Sequence, residues 1–253
     1  MRIAVLSDIH GNLHALEAVL ADVKMHAPDV TVNLGDILSG PLRPAETADL
    51  LLALDLPTVA GNHERQLLTL PAERMNKSDA FTWARLSEPH RAWLRGLPAE
   101  RVLDGGVLLC HGAPGGDDLC YLLEDLGPDH FRPARPAQVA ERLAGVEQGL
   151  VLCGHTHLPR MVRLPTGQLV VNPGSVGLPA YDDDRPWPHV VETGSPHARY
   201  AVLDRGPAGW SVTFRAVAYD WDRAAAEARA AGRHDWAEAL ATGTLTPPAS
   251  QPA

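Results

Sequence analysis

Seven residues in this sequence are of types that bind metal ions and stand where strands should end: Asp8, His10, Asp36, Asn62, His111, His155 and His157. Carboxylate and imidazole together suit manganese, iron, zinc, cobalt or nickel better than magnesium or calcium. The amide oxygen of Asn62 would add a neutral ligand. In Asp8-Ile9-His10 and His155-Thr156-His157 the paired residues are two apart, a spacing that turns both side chains to one side of an extended segment. Each residue also has an ordinary structural reading. Asp36 after Gly35 is a common turn residue, and Asn62 before a helical pattern makes a good N-cap. Their joint placement argues for one site, because every one lies in a glycine-containing turn that follows an apolar run.

Those apolar runs are Ile3–Leu6, Val30–Leu34, Thr58–Ala60, Val107–Cys110 and Leu150–Cys153. Short runs bounded by turn residues read as buried strands, and α/β folds place their sites in the loops at strand ends. Leu13, Leu16, Leu20 and Val23 recur at helical spacing behind Asn12 as N-cap, and a second helix should start at Pro44 with Leu51 and Leu54 on one face. Alternation of strand and helix predicts parallel βαβ units. Residues 72–98 read as helical, a candidate cap with Trp83, Leu86, Trp93 and Leu97 on its apolar face. Met161–Leu164 and Gln168–Val171 predict a hairpin around Pro165-Thr166-Gly167, and Tyr200–Leu203 with Ser211–Val217 predict another. The second half therefore adds mostly antiparallel strands. Residues 221–240 are Ala-rich and helical. Residues 1–241 read as a single domain and 242–253 as a disordered tail.

Of the 253 residues 45 % are hydrophobic and 21 % charged, which is ordinary for a globular chain. The net charge of −9 works against tight binding to nucleic acid polymers or anionic membranes. No stretch approaches the roughly 20 apolar residues of a membrane span, and Ile3–Leu6 is too short for a secretory leader, so a cytoplasmic protein is expected. Cys110, Cys120 and Cys153 lack paired spacing and read as reduced, buried hydrophobes. A homo-oligomer is left open.

In chain order, Asp8-Ile9-His10, Gly35-Asp36, Gly61-Asn62-His63-Glu64, His111-Gly112 and Gly154-His155-Thr156-His157 resemble the sequence blocks of the calcineurin-like dimetal metallophosphoesterases. Ser7–Asn12 and Asn172-Pro173-Gly174-Ser175 look most like the compact bacterial and archaeal, phosphodiesterase-like branch. The resemblance implies an α/β fold in which two mixed β-sheets form a sandwich flanked by helices. It implies one ion held by Asp8, His10 and His157, a second by Asn62, His111 and His155, and Asp36 bridging them. Two divalent transition-metal ions are expected, manganese first, with iron, nickel, cobalt or zinc as alternatives. Such a pair, about 3.5–4 Å apart, can acidify a bridging water into hydroxide for in-line attack on phosphorus. By the same resemblance His63 protonates the leaving oxygen or stabilises the charged phosphoryl group.

The implied substrate is a small phosphodiester or phosphomonoester, the diester first. Protein Ser/Thr phosphatases and dinucleoside-polyphosphate phosphatases of this family carry phosphate-gripping arginines near Asp36 and before Gly61. Here those places read Ile37-Leu38-Ser39-Gly40 and Val59-Ala60, which counts against both. A metal-binding protein-interaction scaffold is the non-enzyme alternative, and the intact histidines count against it. A DNA nuclease would want a basic extension that is missing. Arg43, Arg185 and Tyr181–Trp187 are candidates for shaping substrate choice. Asp182-Asp183-Asp184 reads as a solvated loop, and Ser175 lies in a turn that the sequence does not place.

Overall fold

In the computed structural model, which describes residues 1–116 and 119–246, Arg2–Leu6 forms β1 and Leu13–His26 forms α1. Asn12 caps α1, its side chain accepting the backbone N–H of Ala15. Val30–Asn33, β2, runs parallel to β1 with Val30 opposite Ile3 and Asn33 opposite Leu6, giving the expected βαβ unit. In α2 (Pro44–Leu54) Leu51 is buried, but Leu54 ends in solvent at the last turn. Then come α3 (Asn62–Thr69), α4 (Lys77–Trp83) and α5 (Glu88–Arg95). Residues 72–98 are thus largely helical, with Leu86 buried and Trp83, Trp93 and Leu97 packed against the same core.

Thr58–Ala60 does not form a strand. Pro57 and Gly61 bracket too short a stretch, so it makes one parallel bridge, Asn33 to Thr58, and the Ala60 N–H turns to the Pro98 carbonyl. The chain continues through β3 (Glu100–Leu103), β4 (Val107–Cys110), the hairpin β5 (Glu124–Gly127) and β6 (His130–Pro133), α6 (Pro136–Arg142) and β7 (Leu150–Leu152). The predicted hairpin is β8 (Arg160–Arg163) with β9 (Leu169–Asn172), and a further hairpin is β10 (Ala180–Asp183) with β11 (His189–Glu192). Long antiparallel strands β12 (Ala198–Gly206) and β13 (Gly209–Val217) follow. The Ala-rich stretch is two helices, α7 (Trp221–Ala230) and α8 (His234–Thr242), broken where Gly232 takes φ 76°. Past α8 the backbone N–H of Leu245 is held by Glu192, so order extends beyond the expected start of the tail; 247–253 lie outside the described residues.

The main sheets run β13-β12-β1-β2 and β3-β4-β7-β9-β8, and both mix parallel and antiparallel pairs. Side chains alternate across each strand. Ile3, Val5, Val32 and Leu203 of the first sheet therefore meet Leu109, Leu152 and Val171 of the second in a buried layer between them. The opposite faces take helices. Ala4 and Leu6 pack under Leu16, Val19 and Ala48, while Cys110, Val151 and Cys153 pack under Val139 and Leu143. The result is an α/β/β/α sandwich of mixed sheets.

Candidate metal centre

The loops leaving the C-terminal ends of β1, β2, β4 and β7, together with the start of α3, converge at one edge of this sandwich. Asp8, His10, Asp36, His155 and His157 all hold positive φ, between 52° and 72°. A residue with a Cβ costs on the order of 1–3 kcal/mol there, and such strain gathers at functional sites. The expected extended geometry of the Asp-x-His and His-x-His pairs is therefore replaced by left-handed turns, which still bring each pair inward. The approach is close. A Cβ on Gly61 would stand 2.3 Å from Oδ1 of Asp36, and one on Gly154 only 2.0 Å from the Ser7 hydroxyl.

Metal-ligand atoms gather in two groups, Asp8 with His10 and His157, and Asp36 with His111 and His155, each set within 4.8 Å. Asn62 joins the second, its Oδ1 3.1 Å from Nε2 of His111. Its N-cap reading passes to Gly61, which precedes it. The donor set fits divalent cations. Nδ1 of His10 donates to the Ser39 carbonyl at 2.8 Å, and Nδ1 of His157 donates to the Leu178 carbonyl at 2.7 Å. In a neutral ring Nε2 is then left with a lone pair, and the two Nε2 atoms face each other at 3.1 Å. Burial and the neighbouring His157 push the His10 pKa down to about 4, so the His10 ring is neutral at neutral pH and its Nε2 can serve as a ligand. Nε2 of His111, whose Nδ1 donates to the Leu34 carbonyl, is likewise turned on Oδ2 of Asp36 at 3.2 Å. Burial would lower the His111 pKa, yet Asp36 and Asp8 lift it to about 10: the pocket floor calls for positive charge.

Other residues fix these loops. Buried Glu64 accepts the backbone N–H groups of Asp36, Ile37 and Gly61 at 2.8–2.9 Å, tying the loop after β2 to the start of α3. Asn172 donates to the Gly154 carbonyl at 2.7 Å, and Ser175 donates to the Asp8 carbonyl at 2.8 Å. Ser175 is thus a backbone clamp. His63 points Nδ1 at Oδ1 of Asp79 from 2.8 Å, and Asp79 also takes the Ser39 hydroxyl. Burial would lower the His63 pKa, but Asp36 and the bond to Asp79 outweigh it and hold it at about 9. Asp79 had no signal in the sequence beyond lying three residues after Asn76, the N-cap of α4.

The sequence matches the family model of the calcineurin-like phosphoesterase superfamily domain over residues 1–193. The chain belongs to that superfamily. It is 30 % identical over 202 residues to the uncharacterized protein MJ0912 of Methanocaldococcus jannaschii, an overlap of 76 % of this chain and 75 % of that one. In structure it is similar to a metallophosphoesterase from Sphaerobacter thermophilus, with a TM-score of 0.75, 28 % identity, and 96 % and 99 % of the two chains covered. A candidate diadenosine tetraphosphatase shares the fold, at a TM-score of 0.52 and 19 % identity over 85 % of this chain and 93 % of that one. The family depends on two metal ions, and membership makes this chain a phosphoesterase-type hydrolase. No described helix is long and apolar enough to cross a membrane.

Above the metal-ligand floor this phosphoesterase has a cavity of about 380 Å³, walled by Lys77 and Ser78 from α4, Tyr181 and Arg185 from β10 and beyond, and Arg233 and Trp236 around α8. Of the residues expected to shape substrate choice, Arg185 and Tyr181 line it. Arg43 does not: it is paired with Glu227 away from the cavity. Asp182 and Asp183 sit exposed on the rim and join neither ligand group. Arg233 and Trp236 escaped sequence reading because the Ala-rich stretch carrying them has no chemical spacing.

Behind the His155–His157 loop lies buried Glu124, neither of whose carboxyl oxygens completes a hydrogen bond. Burial lifts its pKa to about 7 against the pull of Thr156, Arg160 and Arg142. Its folded pKa is above its unfolded one, so the protonated form is favoured in the fold, and stability falls as pH rises from about 4.5 through 7. Glu124→Gln removes that cost. The variant should be more stable than the parent by up to about 3 kcal/mol at pH 8, and by less than about 1 kcal/mol near pH 5. Thermal melts at the two pH values test this; an equal shift at both would contradict it.

Proposed function

We propose that this chain hydrolyses a small phosphodiester, or less readily a phosphomonoester, at this floor. In this reading Asp8, His10 and His157 hold one divalent cation, Asn62, His111 and His155 hold a second, and Asp36 lies between them. The observation that carries it is the pair of adjoining ligand groups, in which the Nε2 atoms of His10 and His157 face each other at 3.1 Å and Nε2 of His111 stands 3.2 Å from Oδ2 of Asp36. Manganese is the first candidate, with iron, nickel, cobalt or zinc also suited to imidazole and carboxylate. When bound, two such ions supply Lewis acidity toward phosphate oxygens and a nucleophilic water at neutral pH.

The protein's own part begins with His63. With Nδ1 committed to Asp79, its other ring nitrogen is free to give a proton to the leaving oxygen, and the raised pKa keeps that proton in place near neutrality. A cation beside Asp36 would draw this pKa back toward neutral, where a donor works best. Preference for the diester is supported by the mixed charge of the cavity wall, where Asp182 and Asp183 stand beside Lys77, Arg185 and Arg233. Arg233, one of the arginines lining the cavity, is already engaged by Asp235 and Ser78. A dianionic monoester would need more positive charge than a monoanionic diester.

The test is the ratio of rates on a chromogenic phosphodiester and its matching monoester, with a dinucleoside tetraphosphate as the third substrate. Faster turnover of the diester is expected. A clear preference for the tetraphosphate would move the assignment to the polyphosphate class, and one for the monoester would overturn the diester reading.

A further inference from the structure

Histidine ligands need their rings held in plane, usually by a hydrogen bond from the nitrogen that does not face the metal. His10, His111 and His157 each have one, from Nδ1 to the carbonyl of Ser39, Leu34 and Leu178 respectively. His155 differs. Neither of its ring nitrogens has a hydrogen-bond partner among the described residues. What stands against its ring is Tyr121, with ring centroids 4.6 Å apart, closer than His111 at 5.0 Å.

Tyr121 is itself firmly placed. Its hydroxyl lies 2.8 Å from Nε2 of His189, and Nδ1 of His189 donates to the Trp187 carbonyl at 2.8 Å. That second bond leaves Nε2 as an acceptor, so the phenol is the donor. On the backbone side, Nη1 of Arg142 lies 2.7–3.0 Å from the carbonyls of Tyr121, Leu122 and Glu124, pinning the segment that carries the ring. The edge of Phe131 from β6 closes the cluster at 6.1 Å. His189 reaches this place because alternation along β11 turns His189 and Val191 inward and leaves Val190 and Glu192 exposed. Tyr181, on the facing strand, meets His157 edge-on with centroids 4.7 Å apart, but its hydroxyl stands 3.4 Å from that of Tyr121, a loose contact.

We infer that Tyr121, locked by His189, is the positioning residue that holds the His155 ring in its metal-binding orientation, in place of the carbonyl that serves the other three histidines. The inference rests on the two-ion reading above and adds an asymmetry to it. The group containing Asp36, His111 and His155 depends on a packed ring, while the group containing Asp8, His10 and His157 does not. Losing Tyr121 should therefore weaken one ion and spare the other. A merely structural role for Tyr121 would move both together, or neither.

The experiment titrates chelator-stripped parent, Tyr121→Ala and Tyr121→Phe proteins with Mn(II) alone by calorimetry, with His111→Ala as the reference for loss of the second ion. The parent should take two ions. Tyr121→Ala should bind the second about 10–100-fold more weakly and the first within about twofold of the parent. Tyr121→Phe keeps the ring, loses the His189 bond, and should fall between. If Tyr121→Ala does not fold, His189→Ala decides, since it frees the ring without removing it and must show the same one-site weakening. Unchanged binding of both ions, or parallel weakening of both, overturns the inference and leaves the two-ion reading standing. A parent that takes up no ion overturns both.

Discussion

Asp36→Asn should cost roughly 10³-fold or more in phosphodiester hydrolysis, because the ions are worth several kcal/mol to the transition state and each 1.36 kcal/mol is tenfold. Asp36 is held between the start of α3 and the ring of His111. Its Oδ1 accepts the His63 backbone N–H at 3.0 Å, and its Oδ2 lies 3.2 Å from the His111 ring. Its pKa, despite burial, is held well below the ordinary range by His111 and His63, and in the two-ion reading it is the carboxylate that both groups would share. An amide of the same shape keeps the hydrogen bond from His63 and removes the charge. Rates and metal content measured on the same preparations should fall together, with at least one ion lost. A variant that keeps both ions and comes within tenfold of the parent rate would show that Asp36 does not bridge.

His63→Ala should behave in the opposite way with respect to metal. Loss of a general acid typically costs 10²–10⁴-fold in rate. The ring is bound to Asp79 and belongs to neither ligand group, so both ions should stay. The loss should also shrink on a diester whose leaving group is a good one, since a stable phenolate needs little protonation. Metal analysis alongside kinetics on leaving groups of differing pKa checks both points. Loss of the metals with the activity would make His63 part of the ligand structure, and a uniform loss across leaving groups would remove its role as acid.

The two kinds of residue in this account were unequally legible in the sequence. Asp8, His10, Asp36, Asn62, His111, His155 and His157 could be picked out because each follows an apolar run in a turn that contains a glycine, signals contained within a few residues. The order of those runs also carried the parallel first half and the antiparallel second half, while the sandwich came from the family resemblance. Asp79, Tyr121, Glu124 and Arg233 could not be picked out, since their importance comes from what packs against them. Asp79 meets His63 across an intervening turn, and Tyr121 meets His189 from the far hairpin. Local spacing says nothing of such meetings. The reading also erred where a local signal was cut short. Thr58–Ala60 had strand-like residues, but too little chain between Pro57 and Gly61 to pair as one. Arg43 looked like a substrate ligand by type, yet Glu227 had already claimed it.

The geometric reading of the Asp-x-His and His-x-His pairs expected a backbone that the chain does not use. Alternation along an extended strand would have aimed both side chains inward, whereas the chain uses consecutive turns with positive φ at Asp8 and His10. Sequence patterns reveal the period of an element and seldom its strained departures. Such departures persist only where surrounding contacts over-determine them, here Ser175 on the Asp8 carbonyl and Asn172 on the loop before His155.

The most direct test of the two-ion claim is a metal count joined to activity: strip the chain with a chelator, reload it with manganese, cobalt, nickel or zinc in turn, and measure ions per chain and diester hydrolysis together. The account predicts two ions per chain and activity that vanishes on stripping and returns on reloading, in the parent and not in Asp36→Asn. A stripped chain that takes up no divalent ion, or one that hydrolyses the ester undiminished without any, would contradict it.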